Sequence, residues 1–283
     1  MIRTSLSLLL LVLIPLASFG QQSALNEQKE LLARLTGHKP IRANVQLKDR
    51  YTQESRKITA EYLKGLIGEF CDESEIDNYS PTGNNVVGTI FATSQTDRWI
   101  VIGAHYDSVK DCPGANDNAT GVALAYSVAK HVASLETRNY NLKIVFFDEE
   151  ERGLIGSKAY AKKLLEEKLN VISVHTIDQL GWDEDGDRGI ELEVPAEHIL
   201  DLYTKVAGEF NYTFPIQISD VTSTDHRSFR QLGFAATGIT EEYKNGDTTP
   251  HYHRSTDTYE TVHFEYLSFI TEYVKKVFED IMR

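Results

Sequence analysis

Residues 99–108 read Trp-Ile-Val-Ile-Gly-Ala-His-Tyr-Asp-Ser. Trp99 to Gly103 is short and wholly apolar, the composition of a strand covered on both faces. A histidine and an aspartate follow almost at once. The same order recurs downstream: the largely apolar Leu142–Phe147 leads into Asp148-Glu149-Glu150-Glu151, and Val171–Ile177 leads into Asp178. Between these runs the apolar spacing is helical. Gly121–Leu135 is rich in Ala and Val, and Ser157–Lys168 turns Tyr160, Leu164 and Leu165 to one side. Strands alternating with helices predict an α/β fold with a mostly parallel central sheet flanked by helices.

Further out, residues 24–36 and 52–69 carry helical periods, the second with Ile58, Tyr62, Leu63, Leu66 and Ile67 as its apolar positions. Val86–Ala92, Ile190–Val194 and Phe234–Ile239 read as strands, Ala196–Phe210 and Phe264–Met282 as helices. No internal repeat and no Pro/Gly/Ser-rich linker interrupts this pattern, so residues 21–283 are expected to form one domain. Residues 1–20 read as a leader: Arg3, an apolar run from Leu8 to Ala17, then Ser18-Phe19-Gly20. The run is too short to span a bilayer as a helix. The expectation is an exported protein, periplasmic or extracellular, with no stable membrane insertion once the leader is removed.

The formal net charge of −13 argues against nucleic acid and against anionic membrane surfaces as partners. Two cysteines, Cys71 and Cys112, are too few for a disulfide scaffold, though an exported chain permits them to pair.

The side chains at the strand ends carry the chemistry. In open α/β sheets ligands bind at the carboxyl ends of the strands, where His105, Glu150, Glu151 and Asp178 fall. His105 is placed to bind a metal through one ring nitrogen while Asp107 accepts a hydrogen bond from the other. Asp117 lies among small residues in Gly-Ala-Asn-Asp-Asn-Ala-Thr-Gly (114–121), and a carboxylate can bridge two cations. Of the adjacent Glu150 and Glu151, one can bind metal while the other acts as a base. Each motif has a plainer reading when taken alone: a strand-end His/Asp pair, a turn with an N-cap, a solvated acidic loop, a surface histidine at His253. Asp183-Glu184-Asp185-Gly186-Asp187 offers hard oxygens suited to calcium, or is simply a polar turn between two strands. Asn118-Ala119-Thr120 matches a glycosylation sequon and is read as coincidence. His38, His131, His175, His198 and His263 have no ligand-like motif around them.

Taken together and in order, GAHYDSV, PGANDNATG, EE-x-GLxGS, ID-x-x-G and HxxxDT resemble the co-catalytic two-zinc aminopeptidases of peptidase family M28, over roughly residues 84–262. The resemblance implies a single-domain zinc exopeptidase (phosphorylase/hydrolase-like) architecture. It implies two Zn²⁺ per chain, one held by His105 and Asp178, one by Glu151 and His253, with Asp117 bridging. It makes Glu150 the general base toward a metal-bound water, Asp107 the partner of His105, and peptides with a free N-terminus the substrates. It also implies a cis Asp117–Asn118 peptide. The glutaminyl cyclases, which use one zinc and cyclise an N-terminal glutamine, are similar in fold and much of the metal set. The Thr224–Phe229 stretch resembles a DHxxF segment of both branches and is expected near the substrate.

Overall fold

The computed structural model describes residues 16–283; residues 1–15, most of the expected leader, lie outside that range. The first elements are two helices, α1 (Leu16–Leu35) and α2 (Gln53–Ile67). Thr52 caps α2 by accepting the Ser55 N–H through its side chain, an interaction worth about 1 kcal/mol. The strands are β1 (Glu73–Asn78), β2 (Asn84–Ile90), β3 (Arg98–His105), β4 (Asn141–Phe147), β5 (Asn170–Ile177), β6 (Ile190–Glu193), β7 (Ile216–Ser219) and β8 (Ala236–Thr240). Helices α3 (Thr120–Ser134), α4 (Ile155–Glu166), α5 (Glu197–Glu209), α6 (His226–Arg230) and α7 (Phe264–Met282) complete the chain.

Among the described residues the strands form one sheet in the order β1-β2-β4-β3-β5-β8-β6-β7. Its centre, β4-β3-β5-β8, is parallel, whereas β1, β2 and the β6–β8 pairing are antiparallel. The sheet is therefore mixed, with the expected parallel core.

Side chains on a strand alternate between faces, and both faces here are dry. Ile100, Ile102 and Ala104 of β3 join Leu142, Ile144 and Phe146 of β4 under α1, α2, α3, α5 and α7. Val101, Val145 and Phe147 point the other way, against Tyr160 and Leu164 of α4 and Phe229 of α6. This two-sided burial explains why β3 and β4 read as apolar runs, broken in β4 only by the half-buried Lys143.

Three elements escaped the sequence pattern. β1 reads ESEIDN and lies at the sheet edge, where polar residues face water. β7 is the other edge, four residues long, with Ile218 exposed. α6 is too short to show a helical period. Cys71 and Cys112 are both free thiols. No helix of the described residues is long and apolar enough to cross a membrane.

Candidate metal centre

The parallel strands deliver their carboxyl ends to one edge. His105 is the last residue of β3, and Asp178 the first after β5. Beyond β4 the chain makes a tight turn through Glu149, Gly153 and Leu154, all at positive φ, with Glu150–Arg152 as a single 3₁₀ turn between them. Asp107 shapes that turn: its two carboxylate oxygens accept the N–H groups of Glu150 (3.1 Å) and Glu151 (3.2 Å). The acidic run is thereby divided. Asp148 and Glu149 turn back to the buried Arg56, at 2.7 and 2.8 Å, while Glu150 and Glu151 face the cleft.

Asp117 lies in a widened turn, Ala115–Ala119, ahead of α3, and its peptide to Asn118 is cis as expected. The buried Asp257 accepts the N–H of Asn116 (2.8 Å) and of Asp117 (3.1 Å). Asn118 is fully buried, donating to the Ile177 carbonyl and accepting from Gly121, so its sequon is closed to a glycan in the folded chain. His253 comes from the loop before α7, at positive φ, with Tyr252 stacked on its ring at 3.8 Å.

Two ligand groups result. His105, Asp117 and Asp178 form one; Asp117, Glu151 and His253 form the other, and within each the ligand atoms lie within 4.8 Å of one another. His105 Nε2 is 3.2 Å from Asp117 Oδ1 and 3.5 Å from Asp178 Oδ1. His253 Nε2 is 3.2 Å from Asp117 Oδ2 and 3.0 Å from Glu151 Oε2. Asp117 thus offers one oxygen to each group. His105 Nδ1 is 3.4 Å from Asp107, and Glu150 Oε2 stands 3.9 Å from His105 Nε2.

Buried polar atoms normally find hydrogen-bond partners. Here both ring nitrogens of His105, Asp178 Oδ1 and Glu151 Oε1 are buried without one. Without cations the groups must share protons instead. Burial disfavours charge on His105, yet Glu150, Asp178, Asp107 and Asp117 together raise its pKa well above the usual value. Hydrogen bonds to Asp117 and Glu151 push His253 up to about 10. Burial raises Asp178 to about 7, against the pull of His105. Burial also lifts Glu150 well above the ordinary carboxylate range, reinforced by Asp225, Asp178 and Asp107 and opposed by His105. Orphaned nitrogen and oxygen atoms in a carboxylate-rich pocket are what a pair of cations would satisfy, and a set of His, Asp and Glu donors suits zinc.

A cleft open to solvent lies in front of these groups. Thr224, from the stretch expected near substrate, lines it. Several supporting residues gave no sequence signal because their partners are distant. Besides Asp257, the buried Glu241 accepts from Asn116, Gly181, Trp182 and Thr249, clamping the loop after β5 to the turn that holds Asp117. Asp225 is buried with Oδ1 unpartnered. The five histidines set aside in the sequence keep away from the centre: His175 is buried against Ser173 and Tyr203, His131 meets Glu279, and His263 stacks on Trp182.

A parallel-centred α/β sheet with carboxylates and imidazoles converging at its strand ends defines a candidate metallohydrolase. The model of Peptidase family M28 matches residues 85–277, more than half of the chain, and the chain belongs to that family. Aminopeptidase YwaD of Bacillus subtilis is 27% identical over 173 residues, which are 59% of this chain and 38% of that protein. The chain therefore spans well under half of that relative's length. The Legionella pneumophila LapA aminopeptidase structure superposes with a TM-score of 0.78 at 19% identity, covering 94% of this chain and 75% of that one. A Bacteroides thetaiotaomicron glutaminyl cyclase bound to N-acetylhistamine superposes with a TM-score of 0.72 at 17% identity, covering 90% and 97%. At these identities the two structures speak for the fold alone.

Proposed function

We propose that the chain is a two-zinc aminopeptidase that removes N-terminal residues from peptides. The observation that carries this reading is Asp117, whose two oxygens face two separate ligand groups. His105 and Asp178 would hold one zinc, Glu151 and His253 the other, with Asp117 bridging. When bound, such a pair supplies Lewis-acid polarisation of a carbonyl and acidifies water near neutrality.

The chain's own residues do the rest. Glu150 lines the cleft within 3.9 Å of His105 Nε2 and is outside both ligand groups, so its carboxylate is free to take a proton. It removes the proton from the attacking water and returns it to the leaving amine. Asp107 fixes where Glu150 and Glu151 stand by holding their backbone N–H groups, and its neighbour His105 is oriented from the same side. Being Zn²⁺-dependent and exported are parts of the same proposal, supported by the donor set and by the leader-like first residues.

The test is metal content and aminoacyl-anilide hydrolysis on one purified sample. About two zincs per chain with chelator-sensitive hydrolysis is the expected result. One zinc, no hydrolysis and cyclisation of an N-terminal glutamine would move the protein to the cyclase class.

A further inference from the structure

The lining of the cleft contains a carboxylate that the chemistry above does not use. Glu193 ends β6 and is 2% exposed, yet it lines the cleft beside Gln179, Ser223, Thr224 and Thr240. Its position is built from three sides. Thr224 donates its hydroxyl to Glu193 Oε2 at 2.5 Å, and His226 Nδ1 stands 2.8 Å from that hydroxyl and 3.2 Å from the same carboxylate oxygen. From below, Gly238 on β8 pairs with Glu193, and a Cβ at Gly238 would come within 2.0 Å of Oε2. A glycine inside a strand marks close approach by another group, and here that group is this carboxylate. Thr224 and His226 engage Oε2; Glu193 Oε1 has no hydrogen-bond donor among the described residues.

The charges around it narrow the choice of ligand. Asp117, Glu151 and Asp178 belong to the ligand groups, where cations would neutralise them, but Glu193 belongs to neither. The lining of the cleft contains no lysine or arginine. Among the described residues His226 is the one ionisable donor beside Glu193 and it meets Oε2, so Oε1 keeps its acceptor capacity, which a hydrogen-bonding cation would fill. An apolar first side chain would instead cover Oε1 and leave it unpaired.

We propose that Glu193 determines specificity, and that the cleft selects peptides whose first residue is lysine or arginine. The inference deepens the aminopeptidase reading and rests on it: the α-amine and scissile carbonyl lie at the ligand groups, and the cationic side chain reaches Glu193. Gly238 is the room for the carboxylate, and Thr224 with His226 keeps Oε1 turned to the substrate.

The experiment compares lysyl-, arginyl-, leucyl- and glutamyl-anilides on the zinc-loaded protein, wild type and Glu193→Gln. Calorimetric binding of L-lysine amide and L-leucine amide is measured in parallel. Wild type is expected to favour lysyl and arginyl over leucyl anilide in kcat/KM and to reject glutamyl. Glu193→Gln is expected to lose about ten- to a hundredfold on the lysyl substrate, the worth of a hydrogen bond to a charged group, with the leucyl rate within about threefold. The binding ratio of the two amides should fall in step. A wild-type preference for leucine overturns the proposal without recourse to any variant. An unchanged lysine-to-leucine ratio in a folded Glu193→Gln overturns it as well. Should no anilide be hydrolysed, the aminopeptidase reading fails, and the amide-binding ratio still decides the role of Glu193.

Discussion

Two acidic clusters in this chain look alike in sequence and differ in everything physical. At the strand ends, Asp117, Glu151 and Asp178 are well covered, imidazoles are interposed between them, and several of their polar atoms have no partner. In the loop after β5, Asp183 and Asp185 lie with Asp247, and Asp185 and Asp187 with Glu242, close enough together to suggest two further cation groups. There the carboxylates already accept the loop's own backbone: Asp183 from Arg188, Asp185 from Asp187, Asp187 from Gly189, and Asp247 from Glu184. Acidic residues that complete a turn by themselves need no ion. Acidic residues held together while their neighbours are left unsatisfied do. The polar-turn reading of 183–187 fits the first description.

This contrast can be broken by substitution. Asp117→Ala removes the one side chain shared by both ligand groups, so zinc content and activity should both be lost; full zinc occupancy by elemental analysis would end the bridging role. Glu150→Gln should keep the metal and lower turnover by roughly two to four orders of magnitude, the usual worth of a general base. Wild-type kcat in that variant would remove Glu150 from the mechanism. Arg56→Met leaves Asp148 buried without its counter-ion and should cost about 3–5 kcal/mol in urea unfolding. An unchanged midpoint would mean the Arg56 pair adds nothing.

A pH series sharpens the comparison further. In the metal-free protein His253 titrates at about 10 against an unfolded value of 6.5, and Asp178 at about 7 against 3.8. Both hold protons more tightly when folded, so their contribution is complete at low pH and is lost as pH rises through the folded values. The metal-free chain should therefore lose thermal stability from about pH 4 upward for Asp178 and between about pH 6.5 and 10 for His253. Saturating zinc, which requires the deprotonated ligands, should flatten or reverse that slope in Tm measurements. An equal slope with and without zinc would contradict metal binding at these residues. The smallest effect belongs to the exposed loop: Asp185→Asn should leave zinc content and activity unchanged and shift stability by no more than about 0.5 kcal/mol. A loss of bound metal there would show that the loop is a cation site after all.

The parts of this architecture legible in the sequence are those that depend on neighbours along the chain. β3, β4 and β5 announced themselves because burial on both faces makes them mostly apolar, and His105, Glu150, Glu151 and Asp178 were singled out by standing at their ends. Asp117 and His253 lie in loops and were readable only through their order relative to the others. What stayed hidden depends on distant partners. Asp257 acts on Asn116 and Asp117, and Glu241 on Asn116, each across more than a hundred residues. Arg56 in α2 gave no hint that it would divide the acidic run after β4. Glu193 ends a four-residue strand, and its contacts with Thr224, His226 and Gly238 come from segments far along the chain.

The two ligand groups also differ in their access to water. His105 is 1% exposed at its side chain, whereas His253 is 37% exposed and rides on a loop under Tyr252. A cation between Asp117, Glu151 and His253 sits at an open door; one between His105, Asp117 and Asp178 sits behind it. If both ions are bound, a chelator should remove the one at the exposed His253 in a fast phase and the one at the buried His105 in a slow one. On the proposed two-metal reading, exchange at this centre would be ordered, and a chain holding a single ion would hold it at His105.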